Sequence, residues 1–220
     1  MRGLNHGLFW IAVLAGASYS LTVWDVVEAG AWAAAWKTSG VALLAVWAAT
    51  QARDAEGWLI AGVLALGAAG DLLLETHGFT IGGAAFAAGH MAAIALYWRN
   101  RRVALTPSQK ALGWVIAPAT VAISAMLAAP VGQALPVGVY AAFLGVMAAT
   151  AWTSRFPRYR VGVGAMLFVV SDLLIFARMG PLAGSAVPGM LIWPTYFAGQ
   201  ALIAWGVVQV SRSTEIKSDR

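Results

Sequence analysis

The chain contains eight long apolar stretches, and their number and length constrain its fold more than any other feature. Each stretch has roughly 17 to 20 residues, the length that an α-helix needs to cross about 30 Å of hydrocarbon. The stretches lie at residues 8–24, 32–50, 58–75, 80–98, 112–129, 135–153, 161–178 and 190–209. The sequence therefore predicts an all-α, polytopic membrane protein: a bundle of eight transmembrane helices.

Composition excludes several classes of protein. Charged residues make up 10% of the chain and hydrophobic residues 60%, whereas about 25% of the residues in an ordinary soluble domain are charged. A soluble globular enzyme is therefore excluded. The absence of cysteine removes disulfides, thiolate metal sites and a cysteine nucleophile. With three histidines in the chain, a metal site built from several histidine ligands is also disfavoured.

The basic residues predict the orientation in the membrane. Twelve of the fourteen lie in alternate gaps between the apolar stretches or at the termini, as expected if these segments are cytoplasmic. We therefore expect an integral protein of the cytoplasmic membrane with both termini in the cytoplasm. This topology also accounts for the net charge of +5 without a nucleic-acid partner. We expect residues 1–210 to form a single transmembrane domain and 211–220 a short polar cytoplasmic tail.

Two segments of the chain are similar to each other. Gly70-Asp71-Leu72-Leu73-Leu74, followed by Phe86-Ala87-Ala88-Gly89-His90, resembles Ser171-Asp172-Leu173-Leu174-Ile175, followed by Tyr196-Phe197-Ala198-Gly199-Gln200. The repeated segments are four spans apart, which is consistent with two four-helix halves in parallel orientation. Chance similarity between apolar helices is the alternative explanation.

Two aspartates within the apolar stretches are the first candidates for a functional site, because charge inside the hydrocarbon is costly. Asp172 lies about 11 residues, or roughly 17 Å, into its span, close to the membrane midplane. The alternative role for Asp172 is a protonated group that bridges helices by hydrogen bonds. Asp71 lies nearer the outer end of its helix, and Glu75 is one turn further out. We expect Glu75 to be an exposed acid of a loop.

Other polar residues lie at comparable depth. His90 is about 10 residues, or roughly 15 Å, into the fourth span, Gln200 has a similar depth in the eighth, and Tyr196 is one turn from Gln200. Lys37 leaves two interpretations open: its side chain extends outward to the interface, or it turns inward and pairs with a carboxylate. We interpret Tyr97 and Tyr140 as packing or interfacial residues.

The two carboxyl groups determine what chemistry these polar residues could carry out. In a medium of low dielectric, two neighbouring carboxylates can hold one proton between them at neutral pH, so that an acid lies beside an anion. This pair suits bond cleavage through an oxocarbenium-like cation, as in glycosidases. The same groups would also serve a proton-coupled transporter.

The motifs together resemble one known family. Gly70-Asp71 with Leu72–Leu74, Gly82/Gly83-x-x-Phe86-x-x-x-His90, Phe168-x-x-Ser171-Asp172-Leu173-Leu174 and Tyr196-x-x-x-Gln200 look like the YhhN-like lysoplasmalogenase family of eight-span membrane hydrolases. The resemblance covers most of the chain, including Lys37 in the second span. That family typically has proline after this lysine, whereas Thr38 follows it here.

The resemblance implies hydrolysis of the vinyl ether bond of a lysoplasmalogen-type lysolipid, which releases a fatty aldehyde and a glycerophospho-headgroup compound. It implies no cofactor and no metal. Asp71 and Asp172 would be catalytic, one as proton donor and the other as the anion that stabilises the cation. The supporting or substrate-binding residues would be Lys37, His90, Tyr196 and Gln200. The partners would be the lysolipid and membrane lipids. A small proton-coupled transporter or lipid-binding membrane protein that uses the same acids is the alternative function.

Overall fold

The computed structural model describes residues 2–28 and 30–218, and it describes side chains within 6–28 and 30–211. The side chains of Arg2, Arg212, Lys217 and Arg220, on which the topology prediction partly depends, are not among those described. The same holds for most side chains of the predicted tail, whose backbone is helical as far as Ser218. Within the described part of the chain, regular structure is helical apart from one isolated bridge between Arg101 and Ser154. The all-α prediction is confirmed.

Nine α-helices occur among the described residues: α1 (Arg2–Ser18), α2 (Ser20–Val23), α3 (Ala33–Gln51), α4 (Ala55–His77), α5 (Phe79–Arg99), α6 (Pro107–Ala128), α7 (Ala134–Thr153), α8 (Val163–Met179) and α9 (Val187–Ser218). A single π-helical turn, Arg158–Gly162, leads into α8. Each predicted apolar stretch lies on one of these helices, the first of them on α1 and α2 together.

Seven segments of the described chain are long and apolar enough to cross a membrane. Helix α3 is not among them, although it has 19 residues and packs against α1, α4 and α9. Its early turns contain Lys37, Thr38 and Ser39, and these polar residues lower its mean hydropathy. Seven such helices indicate an integral membrane protein.

The outer surface of the bundle is apolar, as a lipid-facing surface must be. Large hydrophobic side chains point outward from several helices, and Trp114 on α6 is 82% exposed. Other exposed tryptophans include Trp10, Trp32, Trp58 and Trp98. Exposed apolar surface on this scale is unusual for a soluble monomer and fits a protein surrounded by lipid.

Small residues bring the helices close together. A Cβ added to Gly164 on α8 would lie 2.7 Å from the carbonyl oxygen of Gly199 on α9, so only glycine allows this approach. Helices α1 and α3 meet in the same way at Gly16 and Gly40. Close backbone contact of this kind supplies the van der Waals packing that holds helices together when lipid provides no hydrophobic drive.

Several helices begin or end at one end of the bundle, where short links connect them. Gly78 alone links α4 to α5, and its φ of +82° is in the left-handed region that favours glycine. The end of α4 therefore lies beside the start of α5. One cavity lies at this end of the bundle, lined by the end of α8 and by the starts of α7 and α9. This cavity contains the candidate site.

Candidate functional site

A cavity of about 530 Å³ lies between helices α4, α5, α7, α8 and α9. Its walls are largely apolar, with Phe86, Phe143 and Trp193 among the aromatic side chains. Both candidate aspartates line it, together with the charged side chains of Lys37, Glu75 and Arg178. The cavity is large enough for a small-molecule ligand.

Asp71 is 3% exposed and lies on α4. The hydroxyl of Tyr196 on α9 donates a hydrogen bond of 2.8 Å to Asp71 Oδ2, and Gln200 Nε2 donates one of 3.3 Å to that hydroxyl oxygen. Gly67 makes room for the amide, since a Cβ there would lie 2.8 Å from Gln200 Nε2. We call this chain of Asp71, Tyr196 and Gln200 the Asp71 arm.

Asp172 is 5% exposed and lies on α8. The hydroxyl of Tyr140 on α7 donates a hydrogen bond of 2.7 Å to Asp172 Oδ2, and His90 Nε2 lies 3.1 Å from the same hydroxyl oxygen. A tyrosine hydroxyl has one hydrogen, which Asp172 receives here, so His90 Nε2 must carry a hydrogen and donate it to Tyr140. We call this chain of Asp172, Tyr140 and His90 the Asp172 arm.

The two arms lie close together. Asp71 and Asp172 both line the same cavity. Aromatic rings fix the arms in place: Phe168 contacts both Tyr196 and His90, with ring centroids 5.0 Å apart in each pair. Of the six candidate residues, the structure places Asp71, Tyr196 and Gln200 in one arm and Asp172 and His90 in the other. The sixth, Lys37, lines the same cavity.

Lys37 turns toward a carboxylate, which is one of the two interpretations that the sequence leaves open. Its Nζ lies 2.6 Å from Glu75 Oε1, and the two side chains are 16% and 39% exposed. The ammonium group also lies 6.0 Å from the centre of the Trp193 ring. Glu75 is exposed, as expected, but it belongs to helix α4 rather than to a loop, and it lines the cavity.

The interpretation of Tyr140 as a packing or interfacial residue is wrong, because its hydroxyl connects Asp172 to His90. A signal for this role exists in the sequence. Tyr140 is the first side chain in α7 with a hydrogen-bonding group, and a buried tyrosine hydroxyl needs a partner. Tyr97 is buried, as expected for a packing residue.

No group of three or more His, Asp or Glu side chains within the described chain could hold a metal ion. The site consists instead of two carboxyl groups, two phenols, an imidazole and an amide. These groups can donate and accept protons and can stabilise a positive charge.

A comparison with protein families gives one match that covers most of the chain. The model of the YhhN family matches residues 32–207, a range that includes both arms and Lys37. The chain belongs to the YhhN family. At the level of the family, membership points to a membrane hydrolase of the lysoplasmalogenase type. No curated protein and no solved structure matches the chain.

We predict that removing either tyrosine hydroxyl destabilises this YhhN-family protein. Tyr196→Phe and Tyr140→Phe should each lower the free energy of unfolding by about 1–3 kcal/mol, because each leaves a buried carboxylate oxygen unpaired. Thermal unfolding in detergent measures the effect. Tyr159→Phe is the matched control, since Tyr159 is 80% exposed. Equal stability of all three variants would contradict the hydrogen-bonded arms.

Proposed function

We propose that the protein hydrolyses the vinyl ether bond of lysoplasmalogen-type lysolipids, producing a fatty aldehyde and a glycerophospho-headgroup compound. One observation carries the proposal: Asp71 and Asp172, on different helices, line the same largely apolar cavity, and each accepts a hydrogen bond from a tyrosine hydroxyl. An apolar cavity suits a lipid chain, and a pair of carboxyl groups suits acid-catalysed cleavage of an ether. Membership of the YhhN family supports the same reaction class.

The reaction needs a proton donor and an anion. One of the two aspartic acids gives its proton to the vinyl carbon β to the ether oxygen, and the double bond becomes an oxocarbenium ion. The other carboxylate stabilises this cation and orients a water molecule. Water adds to the carbon that bears the oxygen and releases a proton to a carboxylate. The resulting hemiacetal then separates into the aldehyde and the glycerol hydroxyl.

The arms prepare the aspartates for these roles. In each arm the tyrosine hydroxyl binds Oδ2, and Oδ1 has no hydrogen-bond partner among the described residues. One oxygen of each carboxyl group is therefore available to the substrate. Gln200 and His90 act indirectly, because they hold the tyrosine oxygens rather than the carboxyl groups. They are positioning residues.

The charges around the cavity give the substrate an orientation. Lys37 is paired with Glu75, whereas Arg178, which also lines the cavity, has no ion pair or side-chain hydrogen bond within the described chain. Arg178 follows Asp172 on α8 by about 9 Å along the helix axis. A phosphate bound to Arg178 would place the glycerol and the vinyl ether at the level of Asp172. Arg178 is therefore our candidate for headgroup binding, and Lys37 a supporting residue that neutralises Glu75.

The lipid chain has an apolar route between α5 and α7. Ala84 of α5 and Val139 and Phe143 of α7 line the cavity and are exposed. In a membrane this side of the cavity would face lipid. We propose that the alkenyl chain lies between these two helices, with its vinyl ether end beside the carboxyl groups.

We also propose that α3 crosses the membrane, which gives eight spans and places both termini in the cytoplasm. Nineteen helical residues extend over about 28 Å, close to the thickness of the hydrocarbon. The pairing of Lys37 with Glu75 lowers the cost of a cation on this helix. In this arrangement Arg178 and the mouth of the cavity lie at the outer face of the cytoplasmic membrane.

The first prediction of this function concerns the aspartates. The purified protein should release fatty aldehyde from an alkenyl lysophospholipid. Asp71→Asn and Asp172→Asn should each reduce the rate by at least about 100-fold, the contribution of general acid catalysis. Asp54→Asn is the matched control, because Asp54 caps α4 far from the cavity lining and asparagine caps a helix equally well.

Isotopes test the same mechanism. In D₂O one deuterium should appear on the carbon next to the aldehyde group, and in H₂¹⁸O the label should appear in the aldehyde once it is trapped by reduction. Full activity of both Asn variants would overturn the carboxylate mechanism. Proton flux into liposomes that depends on a lipid substrate, without cleavage of any ether, would favour the transporter instead.

The second prediction concerns Arg178. Arg178→Gln should weaken binding of a saturated alkyl lysophospholipid, which is not hydrolysed, by about tenfold or more, because a charged hydrogen bond to phosphate is lost. Binding of the corresponding alkylglycerol, which has no phosphate, should stay unchanged. Lys110→Gln is the control for loss of a positive charge, since Lys110 does not line the cavity. Equal losses for both ligands would exclude Arg178 as the phosphate contact.

The third prediction concerns the topology. The chain has no cysteine, so single cysteines report the side of the membrane on which they lie. In intact cells an impermeant maleimide should label Glu28→Cys, which precedes α3, and should not label Ala55→Cys, which follows it. Permeabilised cells should show both cysteines labelled. Labelling of both, or of neither, in intact cells would show that α3 does not cross the membrane.

A further inference from the structure

A second, smaller cavity lies next to the site. Its volume is about 20 Å³ and it is lined by His90, Tyr97 and Gln200, with apolar neighbours that include Val63, Ala93 and Ile203. One water molecule needs about 10–15 Å³ of such space, together with two to four polar partners. The cavity is therefore the right size for one water.

Three polar atoms of the residues that line this cavity lack partners within the described chain. The hydroxyl of Tyr97, a residue 1% exposed, has no hydrogen bond. His90 uses Nε2 for Tyr140, which leaves the lone pair of Nδ1 unpaired. Gln200 uses Nε2 for Tyr196, which leaves Oε1 unpaired. Polar groups without hydrogen bonds in a protein interior are costly, so three unpaired groups on residues that line one cavity point to a shared partner.

We propose that one water molecule occupies this cavity and joins the two arms of the site. The donors and acceptors balance. Tyr97 donates its hydroxyl hydrogen to the water oxygen, and the water donates one hydrogen to His90 Nδ1 and the other to Gln200 Oε1. Three hydrogen bonds are the usual number for a buried water.

The water completes a continuous hydrogen-bonded chain between the two carboxyl groups. The order is Asp71, Tyr196, Gln200, the water, His90, Tyr140 and Asp172. A donor to Nδ1 keeps the hydrogen of His90 on Nε2, so that the hydroxyl hydrogen of Tyr140 remains directed at Asp172. In the same way, the hydrogen bond that Gln200 Oε1 accepts from the water keeps Gln200 Nε2 directed at the hydroxyl of Tyr196. Tyr97 is thus a positioning residue that acts through the water.

A structure that shows ordered water, and ¹⁵N NMR of the histidine ring, test this site directly. We expect one water within hydrogen-bond distance of Tyr97 Oη, His90 Nδ1 and Gln200 Oε1, and a His90 ring with hydrogen on Nε2 and an accepting Nδ1. A dry cavity, or a direct hydrogen bond between Tyr97 and His90 or Gln200, would overturn the proposal.

Two variants remove the water or one of its partners. Ala93→Val adds two methyl groups to the cavity lining and should displace the water, shifting the Nδ1 resonance of His90 toward that of a nitrogen without a hydrogen bond. Tyr97→Phe deletes only the hydroxyl and should shift the same resonance, which keeps the test informative if Ala93→Val does not fold. Ala48→Val is the matched control, because Ala48 is buried outside this cavity. An unchanged His90 resonance in the variants would contradict the water link.

The effect on catalysis rests on the proposed function, whereas the water site does not. If the protein cleaves vinyl ethers, Tyr97→Phe should lower kcat by roughly three- to tenfold, the loss of one positioning hydrogen bond, with little change in KM. If no ether is cleaved but the NMR result is as expected, the water link stands and the proposed reaction fails. An unchanged kcat in a protein that does cleave vinyl ethers would exclude the positioning role of Tyr97.

Discussion

The need to pair two buried carboxyl groups governs the interior of this protein. An aspartate inside an apolar bundle is tolerated when hydrogen-bond donors replace water. Here each aspartate receives a tyrosine hydroxyl from another helix, so the bonds that stabilise Asp71 and Asp172 also connect α4 to α9 and α8 to α7. The site is consequently part of what holds the bundle together, and its chemistry and its packing cannot be varied independently.

Glycines provide the space that these connections require. Tyr196 reaches Asp71 because α9 lies close to its neighbours, and Gln200 can bind the hydroxyl of Tyr196 only because Gly67 has no side chain. The ring of Phe86, which contacts Tyr196, packs against Gly70, where a Cβ would lie 2.8 Å from it. In a membrane, where the solvent does not drive helices together, such close approach is the main source of packing energy. The same glycines therefore determine both the stability of the bundle and the position of the aspartates.

Hydropathy predicts the positions of the helices, and the scarcity of polar side chains within apolar stretches predicts most of the residues that meet in the candidate site. Asp71, Asp172, His90, Tyr196 and Gln200 stand out because polar side chains are rare within apolar stretches. Tyr140 was missed because a tyrosine is both aromatic and polar, so its presence in a membrane helix does not show whether the ring or the hydroxyl matters. Periodicity and depth also do not say which helices are neighbours. That Lys37 meets Glu75, or that His90 meets Tyr140, depends on tertiary contacts that no local pattern contains.

The similar segments around Asp71 and Asp172 acquire a physical meaning from these contacts. Asp71, in the first segment, is held by Tyr196 and Gln200 of the second. Asp172, in the second, is linked through Tyr140 to His90 of the first. Each aspartate therefore depends on residues that accompany the other one in the sequence, and neither segment with its following helix contains a complete arm. A change in His90 acts on Asp172 across the bundle, and a change in Gln200 acts on Asp71. The two carboxyl groups are thus connected through the fold itself, and the proposed reaction, which needs one acid and one anion at the same moment, would use this connection.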